Sequence, residues 1–273
     1  MSVSAEVDRW LRRFHPGPPD APRLVCFPHA GGAASTYLLI SKALSSVAEV
    51  QAVQYPGRQD RRAEPAHTAI APLADRIAEV LAPLTDRPLA FFGHSMGAIV
   101  GFEVIRRLAA AGAPAPFVLF ASGRRAPSAE RFETVHRRDD AGFLREMREL
   151  GGTDPRVLAD PELVEMVLPP TRADYQAIET YSAPSDATIS TAVVAMVGDS
   201  DPRVTLAEAE LWRRHTTGSF EVKVFPGGHF YLSDQQGAVV AAVSAGLAAG
   251  QAPFAPRRGS FDSAVPGHEA GGQ

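Results

Sequence analysis

The sequence predicts an α/β fold with a mainly parallel central sheet flanked by helices. Short apolar runs rich in Val, Leu and Phe recur along the 273 residues, with helically spaced segments between them. Most of these runs are apolar throughout rather than alternating, the pattern of parallel strands covered on both faces. A hydrophobic content of 45% against 21% charged residues is enough to bury a full core, and the length is short for two independent enzymes. One domain over residues 1–250 is expected.

Taken in order, the opening MSVSAEVDRWLRRFHPGPPDAP scatters acidic and basic groups and has no apolar signal-peptide core. No apolar run approaches the roughly 18 residues of a membrane span. A cytoplasmic monomer without membrane contact is expected, and a net charge of -4 leaves no footprint for nucleic acid. The first strand is RLVCFP from Arg23, whose Cys26, the single cysteine, reads as a small core hydrophobe. Strands EVQAVQY from Glu49, LAFFG from Leu89, FVLFAS from Phe117, TAVVAMVG from Thr191 and EVKVFPG from Glu221 follow. Helices are expected over Thr36 to Ser45, Ala69 to Leu84, Met96 to Ala111, Thr205 to Thr216 and Asp234 to Ala249.

The interval from Arg124 to Ser185 breaks the alternation. It holds two helical stretches, DDAGFLREMREL and DPELVEMVL, separated by Gly151 and Gly152 and followed by Pro169 and Pro170. A helical insertion starting at a strand's carboxyl end lies over the region where α/β sheets build their sites, so residues 124–185 read as a lid. Its Leu144, Met147, Val164, Val167 and Leu168 have the spacing to line an apolar chamber, with packing against the core as the alternative. The Pro/Gly-rich stretch from Gln251 reads as a disordered tail, residues 251–273.

Gly93-His94-Ser95-Met96-Gly97 is a G-x-S-x-G pentapeptide placed between a buried strand and an amphipathic helix. That setting is a nucleophile elbow, in which a strained serine needs small neighbours two positions away. Ser95 is the candidate nucleophile. The tetrahedral oxyanion needs two donors: the N–H of Met96 at the helix start, and the N–H of Ala30 in the small-residue loop FPHAGGAAS, which His29 shapes. A nucleotide site in that loop is disfavoured, because both the G-x-G-x-x-G spacing and a G-K-[ST] ending are missing.

Among eight histidines, only His229 combines a late position, a preceding strand and a flexible Gly-Gly approach. His15 and His268 fall in termini expected to be flexible, while His67, His136 and His215 read as surface or packing residues. The order Ser, Asp, His matches the α/β-hydrolase fold. Of Asp199 and Asp201, the first follows Gly198 at a strand end, where aspartate closes turns. Asp201 is not needed as a helix cap, because Thr205 and Glu208 form a capping box, and Pro202 favours an extended Asp201 able to reach His229. Asp201 is the candidate orienter.

The ordered motifs FPHAGG, YPGR, FGHSMGA, SGRRAP, GGTD, DY, ETY, GDSD and GGHFYL resemble the type II thioesterases that accompany polyketide synthases and nonribosomal peptide synthetases. The likeness runs from about Trp10 to about Leu247 and selects the same aspartate. It implies an α/β-hydrolase fold with a helical lid. It also implies hydrolysis of acyl groups from the phosphopantetheine arm of acyl or peptidyl carrier proteins, clearing stalled or mis-primed units without cofactor or metal. Arg124 and Arg125 of SGRRAP are candidates to meet an acidic carrier protein. A small-molecule carboxylesterase would use the same triad on oxygen esters, a macrocyclising acyltransferase would resolve the acyl-enzyme with an internal nucleophile instead of water, and a non-catalytic carrier-binding module would not need the triad.

Overall fold

In the computed structural model, residues 3–250 are described; the stretch from Gln251 that reads as a tail lies outside them. Seven strands form one sheet: β1 (Leu11–Arg12), β2 (Arg23–Phe27), β3 (Glu49–Val53), β4 (Leu89–His94), β5 (Val118–Ser122), β6 (Ala192–Gly198) and β7 (Phe220–Phe225). Their order is β1-β3-β2-β4-β5-β6-β7, parallel except for β1, which pairs antiparallel with β3 through Leu11 and Val53. The helices are α1 (Val3–Trp10), α2 (Leu38–Leu44), α3 (Ile70–Leu81), α4 (Met96–Ala110), α5 (Asp140–Leu150), α6 (Pro155–Ala159), α7 (Pro161–Glu179), α8 (Leu206–Glu210), α9 (Tyr231–Asp234) and α10 (Gln236–Ala249).

Successive strand residues point to opposite faces, and both faces are buried. Val25, Phe27, Phe91, Leu119 and Val193 pack with α3 and α4, while Leu24, Cys26, Phe92, Phe120 and Val194 pack with α2 and α10. This double cover is why the central runs carry no alternation. The edge strand β7 is the exception, with Val224 half exposed. The chain passes from β2 outward to β3 and then back across β2 to β4. The carboxyl ends of β2 and β4 therefore flank a topological switch point, where such sheets bind ligands.

The predicted helices form with their ends reshaped. Pro83 stops α3 at Leu81, and the last turn continues as a 3-10 turn over Ala82–Leu84. The Thr205 capping box is present but starts only a five-residue α8. Two elements at the amino terminus were not foreseen. Helix α1 buries Trp10, whose indole donates to Glu6 and lies under the Arg61 guanidinium, and β1 extends the sheet.

Helices α5, α6 and α7 leave from the carboxyl end of β5 and return to β6, as the lid reading expects. Gly151 ends α5 in the left-handed conformation. The second break differs from expectation, because α7 continues through Pro169 and Pro170 to Glu179. The carbonyls four residues back, on Glu165 and Met166, lose their donors but belong to exposed residues that water can reach.

Candidate active site

Strand β4 delivers Ser95 into a tight bend with φ 53° and ψ -118°, a region that L-residues avoid. Two glycines permit it. A Cβ on Gly93 would lie 2.2 Å from the Gly97 carbonyl oxygen, and one on Gly97 would lie 2.0 Å from the carbonyl oxygen of Phe27. Gly97→Ala is accordingly expected to lose at least about 1–3 kcal/mol of stability in denaturant titration. Gly237→Ala, in α10 with nothing within 4 Å of the added Cβ, should be neutral or slightly stabilising.

The Ser95 hydroxyl donates to Nε2 of His229 at 3.0 Å. The opposite ring nitrogen, Nδ1–H, donates to both carboxylate oxygens of Asp201 at 3.0 and 2.9 Å. Asp201 and His229 are buried, and the backbone N–H of Arg203 donates to Asp201 Oδ1 at 2.8 Å, fixing the carboxylate. In this arrangement an imidazole can accept a serine proton while a buried carboxylate holds its tautomer and steadies the resulting cation. Asp199 stands apart. Exposed, it accepts from the Gly227 N–H at 3.0 Å and ties the turn after β6 to the loop after β7.

The other histidines do different work. His94, within the elbow, turns inward, its Nδ1 2.9 Å from Ser122 Oγ, which in turn lies 2.6 Å from the Tyr231 hydroxyl. Burial and then the neighbouring His229 hold its pKa well below the usual imidazole value, so it stays neutral beside His229. His29, whose ring centroid is 4.8 Å from that of Phe230, is pushed down to about 4 by burial and by His229. His215 is a packing residue as expected, held between Ser128 Oγ and the Ala187 carbonyl. His15 departs from its expected flexibility, with Nδ1 3.2 Å from Ser41 Oγ. His268 lies outside the described residues.

One sequence family matches this chain, the thioesterase domain, over residues 22–247. A probable cadicidin biosynthesis thioesterase of Streptomyces griseus is 53% identical over 231 residues, which span 85% of this chain and 64% of that relative. The thioesterase PikA5 of Streptomyces venezuelae is 49% identical over 85% of this chain and 83% of its own length. The solved structure of BorB, a type II thioesterase from the borrelidin biosynthetic cluster, is 44% identical. It superposes with a TM-score of 0.82 over 88% of this chain and 98% of BorB. The chain belongs to the type II thioesterase family of the α/β-hydrolase superfamily.

In this thioesterase Ser95, His229, Ala30 and His29 open onto one cavity beneath the insertion. Its wall differs from the apolar chamber expected from helical spacing. Met147 lines it, joined by Leu150 and Ile178, but Leu144, Val167 and Leu168 do not. Leu144 and Leu168 pack on the insertion's own small core of Val135, Phe143, Met147 and Leu158. Val164 is also absent from the cavity wall. Polar groups supply much of the remaining surface, including Arg124, Glu133, Thr171, Tyr175 and Arg203. Phe230 and Arg203 could have been suspected from their places next to His229 and Asp201; Glu133 and Ile178 carry no such signal.

Arg125 of SGRRAP does not face a partner as expected. Arg125 is buried and donates to Glu133 at 2.6 Å and to the Ala129 carbonyl, so it offers nothing to a partner's surface. Arg124 faces the cavity, its pKa pushed down to about 9 by burial and then by Arg125. Arg125 is internal, whereas Arg124 is half-buried on the cavity wall. Among the described residues no His, Cys, Asp and Glu cluster could hold a metal, and no helix is long and apolar enough to cross a membrane.

Proposed function

We propose that this thioesterase hydrolyses acyl groups from the phosphopantetheine arm of acyl or peptidyl carrier proteins, editing polyketide or nonribosomal peptide assembly. The observation that carries the reading is the continuous series from Ser95 through His229 to Asp201 at the cavity under the insertion. Close relatives named for cadicidin and borrelidin biosynthesis support the pathway context.

In this mechanism His229 removes the Ser95 proton as Oγ attacks the thioester carbonyl. The N–H groups of Ala30 and Met96 receive the oxyanion, Met96 being the first residue of α4, whose N–H has no partner within the helix. The tetrahedral intermediate collapses, the carbonyl–sulfur bond breaks, and protonated His229 returns its proton to the departing pantetheine thiolate. Water, deprotonated by the same imidazole, then attacks the acyl-Ser95 carbonyl; the carbonyl–Oγ bond breaks, His229 returns the proton to Ser95 Oγ, and the carboxylic acid is released.

Competition among three acyl donors tests this, with Ser95→Ala as the blank. The kcat/KM for a carrier-bound acyl group should exceed that for the matching acyl-pantetheine, and both should exceed that for an oxygen ester of the same acid. Faster turnover of the oxygen ester would replace this reading with a carboxylesterase.

A further inference from the structure

The loop after β2, residues 28–34, must hold one N–H still where charge develops, because a donor that has to reorganise contributes less to the transition state. Five side chains pin its backbone and that of Phe27. Tyr37 donates to the Phe27 carbonyl at 2.7 Å and Tyr55 to the Pro28 carbonyl at 3.2 Å. The Gly31 N–H donates to Asp174 Oδ2 at 2.8 Å, Arg58 Nη1 donates to the Gly32 carbonyl at 3.0 Å, and the Ala34 N–H donates to Gln54 Oε1 at 3.0 Å. Within the loop the Gly32 N–H donates to the His29 carbonyl at 2.9 Å. Among the described residues the Ala30 N–H has no protein partner.

The peptide plane turns these bonds into an orientation. The His29 carbonyl and the Ala30 N–H belong to one trans peptide and point in opposite directions, so holding the carbonyl aims the N–H. The bond that holds it comes from Gly32. The turn containing Gly32 is in turn gripped on both sides by Asp174 and Arg58. These two form a bidentate ion pair, Nη1 to Oδ2 at 2.6 Å and Nη2 to Oδ1 at 2.9 Å, with both side chains buried. Asp174 arrives from α7, so the insertion itself reaches the loop. Thr171, one turn earlier, lies where a Cβ on Gly31 would fall, at 2.8 Å, and Gly31 takes φ 79° beneath it.

We propose that Asp174 and Arg58 are positioning residues for the oxyanion site, and that the end of α7 is therefore part of the catalytic frame. A buried ion pair contributes little net stability against its desolvation cost, so geometric specification is the better account of its presence. The inference rests on the reading of Ala30 as an oxyanion donor.

Asp174→Asn keeps the size and one acceptor but removes the bidentate pair. Because it strands the Arg58 charge and could fail to fold, the double variant Arg58→Gln with Asp174→Asn is made beside it. Four quantities are read at a temperature where circular dichroism shows the variants folded. They are kcat and KM for an acyl-pantetheine thioester, inhibition by an alkyl boronic acid that forms a tetrahedral anion on Ser95, and affinity for the unreactive amide analogue of the substrate.

The expected result is a fall in kcat on the order of 10²-fold with KM and amide affinity within about 3-fold. Boronate inhibition should weaken in step with kcat. Unchanged kcat in the folded double variant would overturn the proposal, as would equal losses for boronate and amide, the pattern of general loosening. If the wild type prefers oxygen esters, the thioester reading fails by itself, because boronate and amide can be compared with either kind of acyl substrate.

Discussion

Ser95→Ala is expected to lower kcat on thioesters by on the order of 10⁶-fold, the scale seen when the nucleophile of a serine-histidine-aspartate unit is removed. His229 and Asp201 would remain in place but have no serine hydroxyl to activate for attack, since Nε2 of His229 accepts from Ser95. The residual rate would come from binding and the oxyanion donors acting on water. The unfolding midpoint should stay close to that of the wild type, because alanine meets the same φ 53° backbone and the same small neighbours. Purified variant assayed at high enzyme concentration checks both parts. Retention of more than a few per cent of activity would place the nucleophile elsewhere.

Asp201→Asn carries the second large effect, a fall in kcat of roughly 10⁴-fold. The carboxylate now accepts the Nδ1–H of His229 with both oxygens. An amide can present its NH2 to that nitrogen instead, which leaves the proton on Nε2, where it blocks acceptance from Ser95. Asp199→Asn is the matched control. Its amide oxygen can still receive the Gly227 N–H, so kcat should stay within a few-fold of wild type, with a stability loss of about 0.5–1.5 kcal/mol. Kinetics and denaturant titration of the two variants side by side distinguish the aspartates; the opposite pattern would reverse their roles.

What could be read from the sequence was what neighbouring residues decide. The elbow is a local object, a buried strand, two glycines and a helix within a few turns of chain, and it forms where its pattern says. The choice of Asp201 also came from adjacent residues, Pro202 and the capping box at Thr205, and the structure places that carboxylate on His229. The insertion was visible as a gap in strand rhythm, but the course of α7 was not. Pro169 and Pro170 are tolerated because the carbonyls they orphan sit on exposed residues, which no local pattern reports.

The misses are long-range. Arg58 and Asp174 are 116 residues apart, and neither YPGR nor DY taken alone indicates that the two meet. Arg124 and Arg125 have the composition of a solvated face, yet Arg125 is buried against Glu133 and Arg124 lines the cavity, contacts that no local pattern reports. Helical spacing placed Leu144 and Leu168 toward an interior but could not say which. The interior proved to be the insertion's own core, and the cavity wall took Ile178 and a set of polar side chains instead. Strand β1, only two residues long, has no periodicity to detect.

The claim on which the account depends is that a carrier-bound thioester passes its acyl group to Ser95. Rapid quench of the wild-type enzyme with a carrier-bound acyl thioester, followed by mass spectrometry of the proteolysed protein, reads that step directly. The account predicts an acyl mass on the peptide containing Ser95 that forms before the free acid and decays as the acid appears. Consumption of the thioester with no acyl mass on that peptide at any quench time, or with the mass on another residue, would contradict it.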